Sequence, residues 1–167
     1  MTFPDSTESA ENATPISAAG KSGSQRGGRN ARRRSREFAV QGIYQWLVAA
    51  TDAGLIEADL SASPEFKRCD AGHLTALLHG TITEYASLNE RISPHLDRKV
   101  EHVSPVERAV LLVATYELLH HPEIPFRVVI SEAIDLTKVF GGTDGHRFVN
   151  GVLDRVAKDC GTDQGLR

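Results

Sequence analysis

An all-α fold is predicted by three features of the sequence. Apolar residues recur three and four positions apart over long stretches, which is the spacing of one helix face. No segment alternates apolar and polar residues as a half-buried strand would, and no internal repeat of about 20–50 residues occurs. Capping and stop residues divide the apolar stretches. A chain of 167 residues, 40% hydrophobic and 25% charged, therefore fits one compact domain of about seven helices with a tail.

The first half of the domain is predicted to hold two strong helices and two short ones. Apolar side chains share one face over 31–50, which predicts the first helix. A short helix fits within 54–64, between a glycine and a Ser-Ala-Ser-Pro run. Asp70 can cap a long helix whose apolar stripe runs over 74–92. A further short helix is expected over 94–101.

The clearest local signal in the chain begins at Ser104. Ser104 is predicted as an N-cap, Pro105 occupies the first helical position, and Glu107 can complete a capping box. The helix that follows, 106–119, is apolar on most sides. Because such a helix needs neighbours all round, we expect it at the centre of the core.

Two more helices complete the predicted domain. One opens at Pro125 and stops at the Gly141-Gly142 pair. The last begins after Asp144, which can cap it, and carries an apolar stripe that starts at Phe148.

The composition divides the chain into a polar leader and a helical domain. Residues 1–29 are rich in Ser, Thr, Ala and Gly, so we expect a disordered leader, followed by the domain over 30–160 and a flexible end over 161–167. The leader lacks the apolar core of a secretory signal, and no stretch reaches the length of a membrane span. Cys69 and Cys160 are the only cysteines, which fits a reducing cytoplasm and no membrane partner.

Charge is distributed unevenly along the chain. Seven cations and no acids lie between positions 21 and 36: Lys21, Arg26, Arg29, Arg32, Arg33, Arg34 and Arg36. Residues 37–167 hold 12 Lys and Arg against 19 Asp and Glu, a net charge of −7. A basic arm on an acidic body indicates two partners of opposite charge, with RNA as the polyanion. A solvated basic tail without a specific ligand is the alternative.

Catalytic and metal chemistry find little support in the sequence. The glycine-rich stretch 141–145 lacks the lysine and the preceding strand of a phosphate loop. The adjacent His120 and His121 point about 100° apart on a helix, and no acid or cysteine completes a ligand spacing. We therefore expect no enzyme activity, no cofactor and no metal.

Nucleic-acid binding is better supported. Single-stranded RNA is held by cations on its phosphates and aromatic faces on its bases. Tyr44 lies two helical turns after Arg36, while Arg147 and Phe148 open the last helix. Core packing is an equally good explanation for Tyr44 and Phe148. For Arg147, the equal alternative to RNA binding is an ordinary surface charge.

The chain also resembles a known family, the NusB transcription antitermination proteins. The resemblance lies in blocks that occur in the family's order: RRRSREFAVQGIYQW from 32, VERAVL from 106, ATYEL from 114, IPFRVVISEAIDL from 124, FG at 140 and FVNGVLD from 148. Together they cover about 31–158. The resemblance implies an all-helical fold of two three-helix bundles and a non-enzymatic RNA-binding factor. It further implies pairing with the ribosomal protein NusE, binding to the boxA element of ribosomal RNA transcripts, and joining RNA polymerase to prevent premature termination.

The resemblance also implies site residues by position. RNA contacts are expected at Arg32, Arg33, Arg34 and Tyr44, with further RNA-proximal residues at Asp144, Arg147 and Phe148. The basic arm adds Arg36 to this set. Contacts with NusE are expected around Glu101 and Glu107.

Two other functions stay open at this point. One is a helical interaction module, which could self-associate as a homodimer and do no RNA work of its own. The other is an enzyme relative, because NusB-like domains also occur ahead of RNA cytosine methyltransferase domains; the sequence shows no nucleotide-binding domain here.

Overall fold

The computed structural model describes the backbone of residues 20–162 and the side chains of residues 26–162. Its helices are α1 (Gly20–Ala49), α2 (Ala53–Ser61), α3 (Ala71–Thr83), α4 (Tyr85–Ile92), α5 (Pro105–His120), α6 (Phe126–Phe140) and α7 (Gly145–Asp159). Short 3-10 turns lie at Pro64–Arg68, Ser93–His95 and Val100–His102. No strand occurs among the described residues, and the all-α prediction is confirmed.

The helices form two groups that share α5. Helices α1, α2 and α3 pack against one another, as do α5, α6 and α7. Helix α5 also packs against α1, α3 and α4, which joins the two groups. The predicted pair of three-helix bundles is confirmed.

Helix α5 lies at the centre of the core, as its apolar sequence predicts. Its buried apolar side chains cover every side of the helix: Ala109, Val110, Leu111, Leu112, Val113, Ala114 and Leu118. Ser104 caps its first turn, with its Oγ accepting a hydrogen bond from Glu107 N at 3.3 Å. Only this half of the predicted capping box is found among the described residues, because the Glu107 carboxylate lies against Gly145 instead.

The long helix predicted over 70–92 is two helices. The backbone leaves the helical region at Glu84, with φ −97° and ψ 14°, and α4 starts anew at Tyr85. The preceding Gly80-Thr81-Ile82-Thr83 run combines a glycine with three β-branched residues, which lowers its helix propensity. Glu84 is then held by His120 at the end of α5, at 2.7 Å.

Three further expectations need correction or restriction. The short helix over 94–101 is replaced by two 3-10 turns. Asp144 precedes α7 but makes no side-chain capping bond. The leader was predicted as disordered over 1–29, but it is helical from Gly20, where α1 begins. Residues 1–19 lie outside the described residues. Residues 163–167 of the predicted flexible end lie outside them as well.

Candidate nucleic-acid interface

Helices α1 and α6 both pack against α5, and residues of the two helices line a groove of about 490 Å³. Arg33 on α1 reaches across it, with its Nη2 3.3 Å from Asp135 Oδ2 and its Nε 3.7 Å from Glu132 Oε2. Arg34 and Arg68 line the same groove, together with Glu37 and the exposed Val139. The groove thus carries three guanidinium groups at one end.

The three consecutive arginines of α1 remain available to a ligand. Arg32 lies 3.9 Å from Asp70, and Arg34 pairs with Glu37 at 3.2 Å and Glu65 at 3.7 Å. The side chains of Arg32 and Arg34 are 41% exposed and that of Arg33 is 52% exposed. Each exposed ion pair of this kind contributes about 0–1 kcal/mol to the free energy of unfolding. A phosphate can therefore replace the carboxylates at little cost.

Arg36 is placed differently from these three arginines, and its role toward RNA stays a prediction. Its side chain is 7% exposed, and its Nε donates to both carboxylate oxygens of Glu117, at 2.8 and 3.0 Å. Arg36 lies on the face of α1 that carries the buried Val40 and Ile43. That helical spacing of four and seven residues was the sequence signal for a buried position.

Glu117 is the centre of a buried polar cluster in the middle of the core. His73 Nε2 lies 3.1 Å from Glu117 Oε2, which also accepts from Arg36. Burial raises the pKa of Glu117, but the hydrogen bond from His73 and the charge of Arg36 outweigh that effect and lower the pKa overall. The cluster therefore holds a carboxylate in the core and ties α1, α3 and α5 together.

Tyr44 lies at the other end of the α1 surface, three helical turns after Arg33 and on the same face. Its side chain is 41% exposed and borders a depression of about 190 Å³ with Val40, Val106 and Phe140. A partly exposed ring beside a cationic groove has the geometry to stack on a base.

The residues predicted at the start of α7 lie next to this aromatic end. Val106 lines the depression at Tyr44, and the following Glu107 places its carboxylate against Gly145, the first residue of α7. Asp144 and Arg147 are exposed there. No α7 residue lines the depression at Tyr44 itself, so the roles of Asp144 and Arg147 stay predictions.

The ring of Phe148 is not freely exposed for stacking on a base. It is half-buried and packs on the core, and the Arg98 guanidinium lies 4.5 Å from its ring centroid. Base stacking on that face would require Arg98 to move. The contact with Arg98 could not be predicted from the sequence, because it joins a loop to a distant helix.

The two residues predicted to contact a protein partner lie at and just before the start of α5. Glu101 is exposed in the 3-10 turn before α5, and Glu107 is half-buried in the first turn of α5. Within the described part of the chain, no group of three His, Cys, Asp or Glu residues could hold a metal ion. No helix in that part combines the length and apolar character needed to cross a membrane.

The fold and this groove define the class: a small all-helical protein with a cationic surface that ends at an aromatic ring. The sequence model of the NusB family matches residues 33–158, and the chain belongs to that family.

Similar proteins were found by sequence and by structure. The transcription antitermination protein NusB of Burkholderia vietnamiensis (strain G4 / LMG 22486) is 54% identical over 129 residues, which cover 77% of this chain and 89% of that protein. The NusB structure of T. maritima is 32% identical, with a TM-score of 0.67 over 77% of this chain and 91% of that one. A chain in a crystal structure of antitermination factors NusB and NusE in complex with dsRNA shares the fold at 21% identity, with a TM-score of 0.68 over 76% of this chain and 96% of that one.

Proposed function

We propose that this protein is a transcription antitermination factor that binds boxA-type single-stranded RNA of ribosomal RNA transcripts together with ribosomal protein NusE. In this proposal the protein–RNA complex joins RNA polymerase in the cytoplasm and prevents premature termination. The protein acts by binding, and no catalytic step is involved.

The observation that carries the proposal is the α1/α6 groove. It presents Arg33, Arg34 and Arg68 at one end, and the exposed face of α1 leads from there to Tyr44. Guanidinium groups suit phosphates because they donate two parallel hydrogen bonds, and an aromatic ring suits a base that has left its stack. The combination favours a flexible single strand.

The protein partner is supported by charge and by the relatives. Residues 37–167 carry a net charge of −7, which suits a basic protein such as a ribosomal protein. Relatives at 54% identity are named transcription antitermination proteins, and a NusB of the same fold has been crystallised with NusE and dsRNA. We assign Glu101 and Glu107 to the NusE side of this proposal.

The RNA-binding part is tested by neutralising Arg32, Arg33 and Arg34 together with Gln. Each lost phosphate contact on a single strand should lower the slope of log affinity against log salt by about 0.7. Loss of all three contacts should therefore weaken binding to a boxA RNA oligonucleotide and reduce the slope by about 2. Fluorescence anisotropy at several salt concentrations gives both values.

The control is Arg91→Gln, which removes one exposed cation on α4, outside the groove. It should leave the slope unchanged. If the triple variant kept the affinity and slope of the unaltered protein, the arginines would have no part in RNA binding. Such a result would favour the helical interaction module instead.

A further inference from the structure

A second groove lies on the other side of Arg33, between the early part of α1 and the start of α6. Its volume is about 550 Å³. Arg29 and Arg32 line it from α1 together with the buried Arg36, and Arg127 lines it from the first turn of α6. Arg127 is far from Arg29 and Arg32 in sequence, so the three cations meet only because α1 and α6 both pack against α5.

The groove also holds two acids, and each has a partner. Glu132 is paired with Arg33, at 3.7 Å, and Glu123 accepts from His121 Nδ1 at 3.1 Å if that nitrogen is protonated. The charge of Arg32 also contributes to lowering the pKa of Glu123. Among the described residues, the one carboxylate within 4.0 Å of Arg32 is that of Asp70, at 3.9 Å. Among the residues that the structure describes, no carboxylate lies within 4.0 Å of Arg29 or Arg127. The groove therefore presents a surplus of positive charge to the solvent.

Arg127 is exposed to solvent and stacks on the ring of Phe126. The residue is exposed, and its guanidinium carbon lies 5.8 Å from the centroid of the Phe126 ring. Phe126 itself packs against the core. Stacking on an anchored ring restricts the guanidinium, so less entropy is lost when it binds an anion.

The two grooves form one continuous surface. Arg33 separates them, and it contacts both Glu132, which lines the second groove, and Asp135, which lines the first. A chain of phosphates that binds Arg33 can therefore continue along α1 and α6 in the direction away from Tyr44.

We infer that Arg127, with Arg29 and Arg32, holds further phosphates of the same RNA strand, beyond the arginine tract. This inference rests on the proposed function, since it extends the same binding surface. The inference adds Arg127 of α6 to the RNA-binding surface, whereas the arginine tract lies entirely on α1.

The test compares Arg127→Gln with Arg91→Gln in the full-length protein. Both variants remove one exposed arginine, so they change the net charge equally. Arg127→Gln should weaken binding of a boxA RNA oligonucleotide by about two- to fivefold, the range of one exposed ion pair. It should lower the salt slope by about 0.7, and adding Arg29→Gln should lower it by about 1.4 in total. Arg91→Gln should match the unaltered protein in both quantities.

The outcomes separate this inference from the proposed function. If the triple variant of Arg32, Arg33 and Arg34 weakens RNA binding while Arg127→Gln behaves like Arg91→Gln, the inference is overturned and the proposed function stands. If the unaltered protein fails to bind the RNA, both are overturned. Circular dichroism of Arg127→Gln should be unchanged because the side chain is exposed; a loss of helix would show a structural role and also overturn the inference.

Discussion

At the scale of single residues, neighbouring arginines of one sequence run have different roles. Arg33 is half-exposed over a groove, whereas Arg36 is buried against Glu117. The charge pattern predicted a basic arm but did not separate these two positions. Helical periodicity does separate them, because Arg36 shares the face of Val40 and Ile43. Its acidic partner lies 81 positions away and could not be predicted from local spacing.

The buried pair makes the stability of the protein sensitive to acid. Because the pKa of Glu117 is lowered in the folded state, the stabilisation is fully present above the ordinary carboxyl value near 4.5. It is lost progressively as the pH falls through the lowered pKa, since folding then requires a proton to be released. We expect urea denaturation to show a steep loss of unfolding free energy below about pH 4.5 that is flatter in Glu117→Gln.

Glu123→Gln is the matched control for this prediction. The pKa of Glu123 is also lowered, by a hydrogen bond from its own backbone and then by His121, but the carboxylate is exposed to solvent. Its replacement should leave the acid slope close to that of the unaltered protein. An equally steep slope in Glu117→Gln would mean that the buried carboxylate is not responsible.

At the scale of elements, helix existence was predictable and helix interruption was not. The sequence predicted α1, α5, α6 and α7 by their apolar stripes and their caps and stops. The break at Glu84 was missed because the apolar stripe continues across it, from α3 into α4. Only the packing of both helices against α5 reveals the change of direction.

The contact between α3 and α5 depends on a glycine. A Cβ at Gly80 would overlap the ring of Tyr116, so the two helices approach through the missing side chain. Gly80→Ala should therefore lower the unfolding free energy by about 1–3 kcal/mol, the typical cost of an overpacked site. Chemical denaturation measures this loss.

Gly151→Ala offers the comparison within another helix. A Cβ at Gly151 would meet only the Arg155 side chain, at 3.9 Å, which is ordinary contact. This variant should be neutral or gain up to about 1 kcal/mol from helix propensity. Equal stability of the two alanine variants would contradict the close packing of Tyr116 on Gly80.

At the scale of the whole molecule, the sequence predicted the fold, the family and the kinds of partner, but it did not predict the geometry of the site. The apolar spacing predicted the all-α fold and the ordered blocks predicted the family, and both are confirmed. The basic arm and the acidic body predicted the kinds of partner. The groove was not predictable, because its residues come from α1 and α6, which are far apart in sequence and are brought together through α5. Arg68 and Arg127 joined the candidate surface for this reason, since neither lies in the basic run. The roles of Asp144, Arg147 and Phe148 toward RNA stay predictions.

The most direct test of the two-partner account is RNA affinity with and without purified NusE. We expect the unaltered protein to bind a boxA RNA oligonucleotide alone and to bind it more tightly when NusE is present, because a basic protein held by the acidic body adds its positive charge to the complex that binds the RNA. By thermodynamic reciprocity, the RNA should tighten NusE binding by the same factor. RNA affinity that is unchanged at saturating NusE would contradict the account.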